Sequence, residues 1–356
     1  MSDRVDRLTP LIEEAGIDLL IVGDLVNVRY LTGFGGSNGL VLVGPRTRLF
    51  VSDFRYTERA RGEVDSSFER VTATQDLVEG LPDLVGDGAG RLGFDDAHTS
   101  VKAHAKLAEV LAGHELVAAG GLVERLRAVK EPAEVDRIAA AAQLADEAFG
   151  ALLERGLIGR TEAEIATALE FDMRARGAEG ASFSPIVATG PNGAQPHASP
   201  GDVAVSEGDL IVIDWGALVD GYCSDCTRTL AAGQPDGAAR DAYELVLAAE
   251  EAGLAAVRAG AAGRDVDAVA RELIEQGGHG EHFGHGLGHG VGLEIHEGPT
   301  LSRRSEDTLQ TGNVVTVEPG VYLPGRFGIR IEDLVVVEQD GVRTLTGVDK
   351  QLTVCD

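Results

Sequence analysis

The chain has 356 residues, of which 44% are hydrophobic, and its 58 acidic and 31 basic side chains give a formal net charge of −27. Such a charge repels phosphate backbones and anionic lipids, which disfavours binding to nucleic acid or to a membrane. The longest apolar run near the N-terminus, at residues 19–22, is too short to span a bilayer, and no basic segment followed by an apolar core precedes it. We therefore expect a cytoplasmic protein.

Lysine is scarce among the basic side chains. Only four lysines are present, at positions 102, 106, 130 and 350. Excess carboxylates with few lysines are typical of proteins adapted to high salt, where counter-ions screen the repulsion. The composition favours a halophilic protein, with an ordinary acidic enzyme as the alternative.

The first third of the chain, residues 1–125, is predicted to be an α/β domain. Short apolar runs predict strands at 18–22, 39–43, 48–51 and 92–95, and helical spacing predicts helices at 5–15 and 98–113. The glycine-rich segment 30–38 is predicted to be a loop, and it matches no phosphate or dinucleotide fingerprint. We expect this domain to shape the substrate site or to support assembly.

A second domain is predicted to cover residues 126–356. Dense charge and a proline at 122–136 are typical of a domain boundary, and Pro132 is expected in the first turn of the next helix. Helical patterns follow at 133–155 and 161–177, the second opened by a capping box of Thr161 and Glu164. An alanine-rich stretch at 238–262 also favours helix.

Two hairpins in this second domain each carry a pair of acids. Strands at 210–216 and 222–230 flank a turn, and Asp214 and Asp225 are equally distant from its midpoint, so we expect them as cross-strand neighbours. Like charges about 5 Å apart are destabilising unless a cation lies between them. The arrangement recurs near the C-terminus, where Glu318 and Glu332 are symmetric about Gly325.

A glycine-rich segment, residues 285–297, lies between the hairpins and contains three histidines. His285 and His289 stand four residues apart, but the four glycines at 286, 288, 290 and 292 disfavour a helix. We predict a loop that continues into a short strand from Val291, where apolar and polar residues alternate. The alternative is a histidine-rich tract that binds metal loosely, since His279 and His282 lie just upstream.

Four carboxylates and one imidazole form a mainly oxygen-donor set. Such a set suits a pair of Mn²⁺ or Co²⁺ ions better than a structural zinc site, with Zn²⁺ as a third candidate. Two such ions can activate a shared water and polarise a carbonyl, which is the arrangement for hydrolysis.

The assembled motifs closely resemble the Xaa-Pro peptidases of the pita-bread metallopeptidase family M24, which includes prolidase and aminopeptidase P. The matching motifs are Asp214-x-Gly216, Gly221-Tyr222-x-Ser224-Asp225-x-Thr227-Arg228-Thr229, His285-x-x-x-His289-x-x-Gly292-x-x-x-His296-Glu297, Glu318-Pro319-Gly320-x-Tyr322 and Arg330-x-Glu332-Asp333. The segment 30–34 and Asp53-x-Arg55-Tyr56 are similar to the smaller N-terminal domain of the family. The resemblance implies an α/β (α+β) fold in which a pita-bread domain follows that smaller domain.

The resemblance also implies roles for individual residues. One metal ion would be held by Asp214, Asp225 and Glu332, and the other by Asp225, His289, Glu318 and Glu332. Glu318 would carry the proton of the attacking water, and His296 would steady the peptide carbonyl and the tetrahedral intermediate.

The remaining implied residues surround the substrate. His197 and His285 would line its pocket, and Arg330 would orient the acids. Tyr322 resembles the active-site tyrosine of the family, with a packed tyrosine as the alternative.

The favoured function is hydrolysis of the Xaa-Pro bond in dipeptides. A dipeptidase needs a cation for the free carboxylate of its substrate, and Arg303 and Arg304 are candidates. The first alternative is an aminopeptidase P that acts on longer Xaa-Pro peptides, although the chain is short beside typical long forms. A metal-free hydrolase similar to creatinase and a non-catalytic binding scaffold are further alternatives, and the five ligands argue against both. Dimers are common among such proteins, so we expect a homodimer.

Overall fold

The structure is a computed structural model that describes residues 2–86 and 90–355, and it divides into two units. A mixed six-stranded sheet forms the centre of the first unit, residues 1–127. Its strands are β1 (Leu19–Val22), β2 (Leu40–Gly44), β3 (Thr47–Asp53), β4 (Glu69–Ala73), β5 (Arg91–Phe94) and β6 (Glu115–Ala118). The spatial order is β4-β3-β2-β1-β5-β6. The helices are α1 (Ser2–Glu14), α2 (Leu25–Thr32), α3 (Thr57–Glu63), α4 (Leu81–Val85), α5 (Val101–Val110) and α6 (Leu122–Ala128).

The strands and helices predicted for this unit are confirmed, but the predicted loop at 30–38 is wrong in its first part. Helix α2 continues to Thr32, and the loop begins only at Gly33, whose φ of +85° ends the helix. The Asp24 carboxylate caps α2 by accepting a hydrogen bond from the backbone N–H of Asn27 at 2.9 Å. A helix of eight residues is too short for its apolar periodicity to stand out in the sequence.

The second unit, residues 128–356, combines four helices with fourteen short strands among its described residues. The helices are α7 (Pro132–Leu153), α8 (Glu162–Ala175), α9 (Gly237–Ala256) and α10 (Gly263–Gln276). The strands are β7 (Gly180–Ala181), β8 (Ile186–Thr189), β9 (Leu210–Trp215), β10 (Ala217–Val219), β11 (Tyr222–Cys223), β12 (Cys226–Ala232), β13 (Gly288–Gly290), β14 (Glu297–Leu301), β15 (Val314–Val317), β16 (Gly320–Leu323), β17 (Phe327–Arg330), β18 (Asp333–Glu338), β19 (Gly341–Thr344) and β20 (Val354–Cys355). No helix within 2–86 and 90–355 is both long and apolar enough to cross a membrane.

The predicted helix starts of this unit are confirmed. Pro132 is the first residue of α7, where its missing N–H leaves no hydrogen bond unmade. At the start of α8, Thr161 Oγ1 accepts from the Glu164 N–H at 3.2 Å, and Glu164 Oε2 accepts from the Thr161 N–H at 2.9 Å. This reciprocal pair is the capping box that the sequence indicates.

Two larger sheets lie at the centre of this unit, and a pair of helices covers one face of each. The sheet β20-β12-β9-β8 packs against α7 and α8, where the rings of Phe149 and Trp215 stack with centroids 4.1 Å apart. The sheet β14-β13-β15-β18-β19 packs against α9 and α10 through Val315 and Val317. Because successive strand residues face opposite sides, residues between these apolar ones, such as Asp214, face away from the helices.

Asp146 of α7 gives the fold a pH-dependent contact. Burial raises its pKa to about 6, while its Oδ2 accepts a hydrogen bond from the Gly347 N–H at 2.6 Å. Its contribution to stability is therefore fully present below the ordinary carboxyl pKa and is lost as the pH rises through about 6. We expect Asp146→Asn, which keeps an acceptor oxygen, to increase the free energy of unfolding at pH 8 by about 1 to 2 kcal/mol. Denaturant titrations at pH 4 and pH 8 check this, because the gain should vanish at the lower pH.

Candidate metal centre

Asp214 of the first acid pair lies on β9 and Asp225 lies directly before β12, in a different register from the one predicted. Asp214 of β9 is directly opposite Thr227 of β12, so the prediction that it faces Asp225 is wrong. The ladder is interrupted at Gly216, where a Cβ atom would lie 1.8 Å from the carbonyl oxygen of Ser224. The ladders on both sides of this gap keep one register, so Asp225 is opposite Gly216, and the hairpin is centred between Asp220 and Gly221, one residue later than the predicted midpoint.

The second acid pair follows the predicted register. The ladder of β15 with β18 ends at Val317 opposite Asp333, and the ladder of β16 with β17 continues the same register beyond a gap. Glu318 and Glu332 lie opposite each other in that gap, which confirms their predicted symmetry. Both residues lie between consecutive strands, as Asp225 does between β11 and β12.

The histidine-rich segment contributes a strand at a different place from the one predicted. His289 lies in β13, and the strand expected from Val291 is wrong, because residues 291–296 form a bent excursion between β13 and β14. The register shifts between His289 and Gly290, so that Gly290 pairs with Glu297. Within the excursion the Gly292 N–H donates to the Glu294 carbonyl at 3.0 Å, which closes a tight turn. His296 is therefore carried at the end of a bend rather than on a strand.

The three acids Asp214, Asp225 and Glu332 converge. Each offers a carboxylate oxygen, and these oxygens lie within 4.8 Å of one another in a buried position. Asp214 Oδ1 and Glu332 Oε1 are buried and accept no hydrogen bond from the described residues. Buried carboxylate oxygens without partners are costly, and a divalent cation would satisfy them. The site therefore fits a metal ion on the chemistry of its own side chains.

The charges of these acids are strongly disfavoured in the metal-free protein. Burial raises the pKa of Asp225 well above its ordinary value, and the nearby charge of Glu332 raises it further. Burial likewise raises the pKa of Glu332, with the charge of Glu318 as the next cause. Burial also raises the pKa of Glu318 itself. Such a cluster needs protons or cations between the carboxylates.

His289 directs a ring nitrogen at this cluster. Its Nδ1 lies 3.1 Å from the Gly290 carbonyl oxygen, an acceptor, so Nδ1 carries the proton. Its Nε2 then presents a lone pair 3.3 Å from Glu318 Oε1 and 3.7 Å from Asp225 Oδ2. Burial lowers the pKa of His289, which favours the neutral form that ligates metals. All five residues predicted as ligands are thus brought together.

Arg330 connects Asp214 with Glu332 through hydrogen bonds. Its Nη2 donates to Asp214 Oδ2 at 2.5 Å, its Nη1 to the Tyr322 hydroxyl at 2.9 Å and its Nε to Thr227 Oγ1 at 3.0 Å. The Thr227 hydroxyl in turn donates to Glu332 Oε2 at 2.7 Å. The predicted orienting position of Arg330 agrees with these contacts. We missed Thr227, although it stands in the quoted motif and its β12 position faces away from α7 and α8.

His285 and Tyr322 lie side by side, with their ring centroids 5.5 Å apart. His285 Nδ1 lies 2.8 Å from the Gly286 carbonyl oxygen and therefore donates, which leaves Nε2 to accept from the Tyr322 hydroxyl at 2.9 Å. Burial lowers the pKa of His285, consistent with this neutral tautomer. Tyr322 is buried and its hydroxyl bonds to His285 and Arg330, so it is a packed tyrosine that also belongs to the site.

A cavity of about 480 Å³ opens onto the cluster. His197, His285 and His296 line it together with the five candidate ligands and Arg330. An apolar wall, residues 183–186, was missed because it carries no catalytic side-chain pattern. Arg303 and Arg304 are not among the described residues that line the cavity, and both lie in an exposed turn after β14. Their predicted contact with the substrate carboxylate stays a prediction.

A buried ionic network, which the sequence does not predict, supports the strand break at Glu332. Arg228 donates through Nη1 to the Glu332 carbonyl and pairs through Nη2 with Asp333 Oδ1 at 2.8 Å. Lys350 pairs with the other oxygen, Asp333 Oδ2, at 3.0 Å. The backbone that carries Glu332 is thus held by side chains that lie outside the cavity lining.

Comparisons with known proteins agree with this architecture. Residues 136–339 match the metallopeptidase family M24, and residues 4–129 match the creatinase/prolidase N-terminal domain. An Xaa-Pro dipeptidase of Pyrococcus furiosus is 34% identical over 360 residues, which cover 99% of this chain and 100% of that protein.

Two solved structures are also similar over nearly the whole chain. An Xaa-Pro dipeptidase from Bacillus anthracis has a TM-score of 0.96 and 38% identity, with 99% of each chain covered. An X-Pro aminopeptidase from Thermotoga maritima has a TM-score of 0.90 and 37% identity, and the match covers 97% of this chain and 99% of that one. The expected fold, a smaller α/β domain followed by a pita-bread domain, is confirmed. The chain therefore belongs to metallopeptidase family M24, with a creatinase/prolidase N-terminal domain ahead of its peptidase domain.

Proposed function

We propose that the protein is a dinuclear metallopeptidase that hydrolyses the Xaa-Pro bond of dipeptides. The observation that carries the proposal is the convergence of three buried carboxylates, the partly buried Glu318 and the His289 Nε2 at the floor of a cavity, with two carboxylate oxygens lacking any partner among the described residues. A cavity of about 480 Å³ suits a small substrate. The names of the Pyrococcus furiosus and Bacillus anthracis relatives support the Xaa-Pro bond as the target.

The five side chains divide between two divalent ions. Asp214, Asp225 and Glu332 would hold one ion, and Asp225, His289, Glu318 and Glu332 would hold the other. When bound, the ions supply Lewis-acid activation of water and of the scissile carbonyl. The oxygen-rich donor set favours Mn²⁺ or Co²⁺, with Zn²⁺ as a third candidate.

Glu318 and His296 act directly on the reacting atoms in this proposal. Glu318 Oε1 accepts a hydrogen bond from Thr316 Oγ1 at 3.1 Å, which fixes the carboxylate at the cavity floor. There Glu318 accepts the proton of the attacking water and returns it to the leaving nitrogen. The His296 ring lies against that of His289, with centroids 4.3 Å apart, and faces the cavity. There it donates to the carbonyl oxygen as negative charge develops on it.

The remaining cavity residues bind the substrate. His197 faces the cavity and, with Arg303 and Arg304 outside it, is the proposed partner of the substrate carboxylate. The wall at 183–186 offers Phe183, Pro185 and Ile186 as an apolar surface for the proline ring. His285 has both ring nitrogens engaged by the protein, so it shapes the floor through Tyr322.

A second candidate function is release of the N-terminal residue from longer Xaa-Pro peptides. It is favoured by the similarity to the Thermotoga maritima X-Pro aminopeptidase, whose identity of 37% is close to that of the Bacillus anthracis dipeptidase. The two functions differ in the room that they need beyond the proline.

Three further proposals concern the salt concentration in which the protein works, its location and its oligomeric state. The net charge of −27 supports activity in concentrated salt, where counter-ions screen carboxylate repulsion. A cytoplasmic location and a homodimer complete the proposal.

A single assay tests the substrate and the metal together. Metal-stripped protein is given Mn²⁺, Co²⁺ or Zn²⁺ at low and at multimolar salt, and Ala-Pro is compared with Ala-Pro-Ala. We expect Ala-Pro hydrolysis only after metal is restored, highest with Mn²⁺ or Co²⁺, and slower cleavage of the tripeptide. Faster cleavage of the tripeptide supports the aminopeptidase instead, and no hydrolysis of either peptide by folded, metal-loaded protein overturns the peptidase proposal.

A further inference from the structure

A buried ion pair lies at the base of the excursion that carries His296. Lys130 Nζ donates to Glu297 Oε1 at 2.6 Å, and the side chains of Lys130 and Glu297 are only 1% and 6% exposed. Glu297 follows His296 directly and is the first residue of β14. A buried charged pair costs more to desolvate than most apolar contacts, so its presence beside an active-site histidine calls for a functional reason.

The Glu297 carboxylate also packs against the turn of the excursion. A Cβ atom at Gly292 would lie 2.4 Å from Glu297 Oε1, so only a glycine at this position leaves room for the carboxylate. The same glycine uses its carbonyl to accept a hydrogen bond from the Cys223 N–H at 2.8 Å. The Glu297 carboxylate, at the end of the excursion, therefore packs closely against Gly292 near its start.

Lys130 itself is fixed to the strand on which the excursion is based. Its N–H donates to the Gly312 carbonyl at 2.9 Å, immediately before β15, and the Val291 N–H donates to the Val314 carbonyl of β15 at 3.0 Å. The Lys130 backbone and the start of the excursion are therefore both hydrogen-bonded to the segment 312–314.

We propose that Lys130 is a positioning residue for His296, which it holds at the cavity by clamping the Glu297 carboxylate against Gly292. The proposal rests on the proposed function of His296. Lys130 touches neither the substrate cavity nor any of the five candidate ligands among the described contacts. Its loss should consequently change the reaction rate without changing the metal content.

The test is a double-mutant cycle on kcat with Ala-Pro, using Lys130→Met, His296→Ala and the double variant, with bound metal counted for each. We expect Lys130→Met to lower kcat about 10- to 100-fold with little change in KM and an unchanged metal content, since a displacement of about 1 Å costs on this order. The double variant should be no slower than His296→Ala alone. Lys130→Arg should recover part of the rate.

Two further variants keep the proposal testable. Gly292→Ala, which displaces the Glu297 carboxylate from the other side, should lower kcat in the same non-additive way if Lys130→Met does not fold. Arg155→Met removes an ion pair with Asp172 outside the cavity lining and should reduce thermal stability without lowering kcat. Wild-type kcat in Lys130→Met, multiplicative losses in the double variant, or loss of metal would each overturn the inference. Full activity of His296→Ala would instead contradict the role of His296 in the proposed function.

Discussion

Asp225→Asn is expected to abolish peptidase activity while making the metal-free protein more stable. Asp225 is proposed to bridge both ions, so its loss should lower kcat by more than about 100-fold, beyond the range typical of groups that only surround a metal. Its carboxylate is buried beside those of Asp214 and Glu332, and removing one of three like charges relieves their repulsion. We expect the free energy of unfolding of the metal-free variant at pH 8 to increase by roughly 1 to 3 kcal/mol.

The pH dependence distinguishes this effect from a general change in stability. Because the pKa of Asp225 is raised in the folded metal-free protein, its contribution to stability is present below the ordinary carboxyl pKa and is lost as the pH rises through the raised value. Asp225→Asn should therefore flatten the decline of stability with pH, as denaturant titrations from pH 4 to pH 9 measure. Asp220→Asn, in the exposed turn of the same hairpin, is the matched control and should leave both activity and stability unchanged. A variant at position 225 that retains both ions would contradict the ligand assignment.

Arg330→Met should damage both stability and catalysis. The guanidinium is buried and donates to Asp214, Thr227 and the Tyr322 hydroxyl, and removal of one partner from a buried ionic network costs about 3 to 5 kcal/mol. With the two acids no longer held, kcat/KM should fall about 100-fold. Thermal unfolding of the metal-free and metal-loaded forms, together with peptide kinetics, measures both losses.

Two related variants test whether the losses in Arg330→Met come from its guanidinium group. Arg330→Lys should be nearly as damaging, because a single ammonium group cannot reproduce the planar fork that reaches three partners. Arg326→Met, four residues away on the same hairpin, removes a half-exposed side chain whose ion pair with Asp236 is 3.8 Å long, and it should have little effect. Equal losses from Arg326→Met and Arg330→Met would mean that the effect belongs to the hairpin and not to the guanidinium network.

The two acid pairs show where sequence symmetry is sufficient and where it is not. The ladders around Glu318 and Glu332 keep one register across their gap, so counting from the turn locates the pair correctly. The other hairpin also keeps one register across its gap at Gly216, but it is centred between Asp220 and Gly221, so counting from a midpoint one residue earlier gives Asp214 the wrong partner. Asp214 and Asp225 are diagonal neighbours on one face of this strand pair, so their carboxylates still converge with that of Glu332.

Other differences arise from contacts that sequence periodicity does not report. The alternation from Val291 onward resembles a strand, but it reflects a bend whose alternate side chains pack into a core that includes Val291. Thr227 bonds to Glu332 across a separation of 105 residues, so its function is visible only after folding. Arg303 and Arg304 have the right charge and are close in sequence to His296, but the chain places them in an exposed turn.

Anomalous diffraction from crystals of the protein loaded with Mn²⁺ is the most direct test of the metal centre. We expect two peaks per chain, both in contact with Asp225 and Glu332, and only one of them beside His289 Nε2. A single peak, or peaks away from these carboxylates, would contradict this expectation.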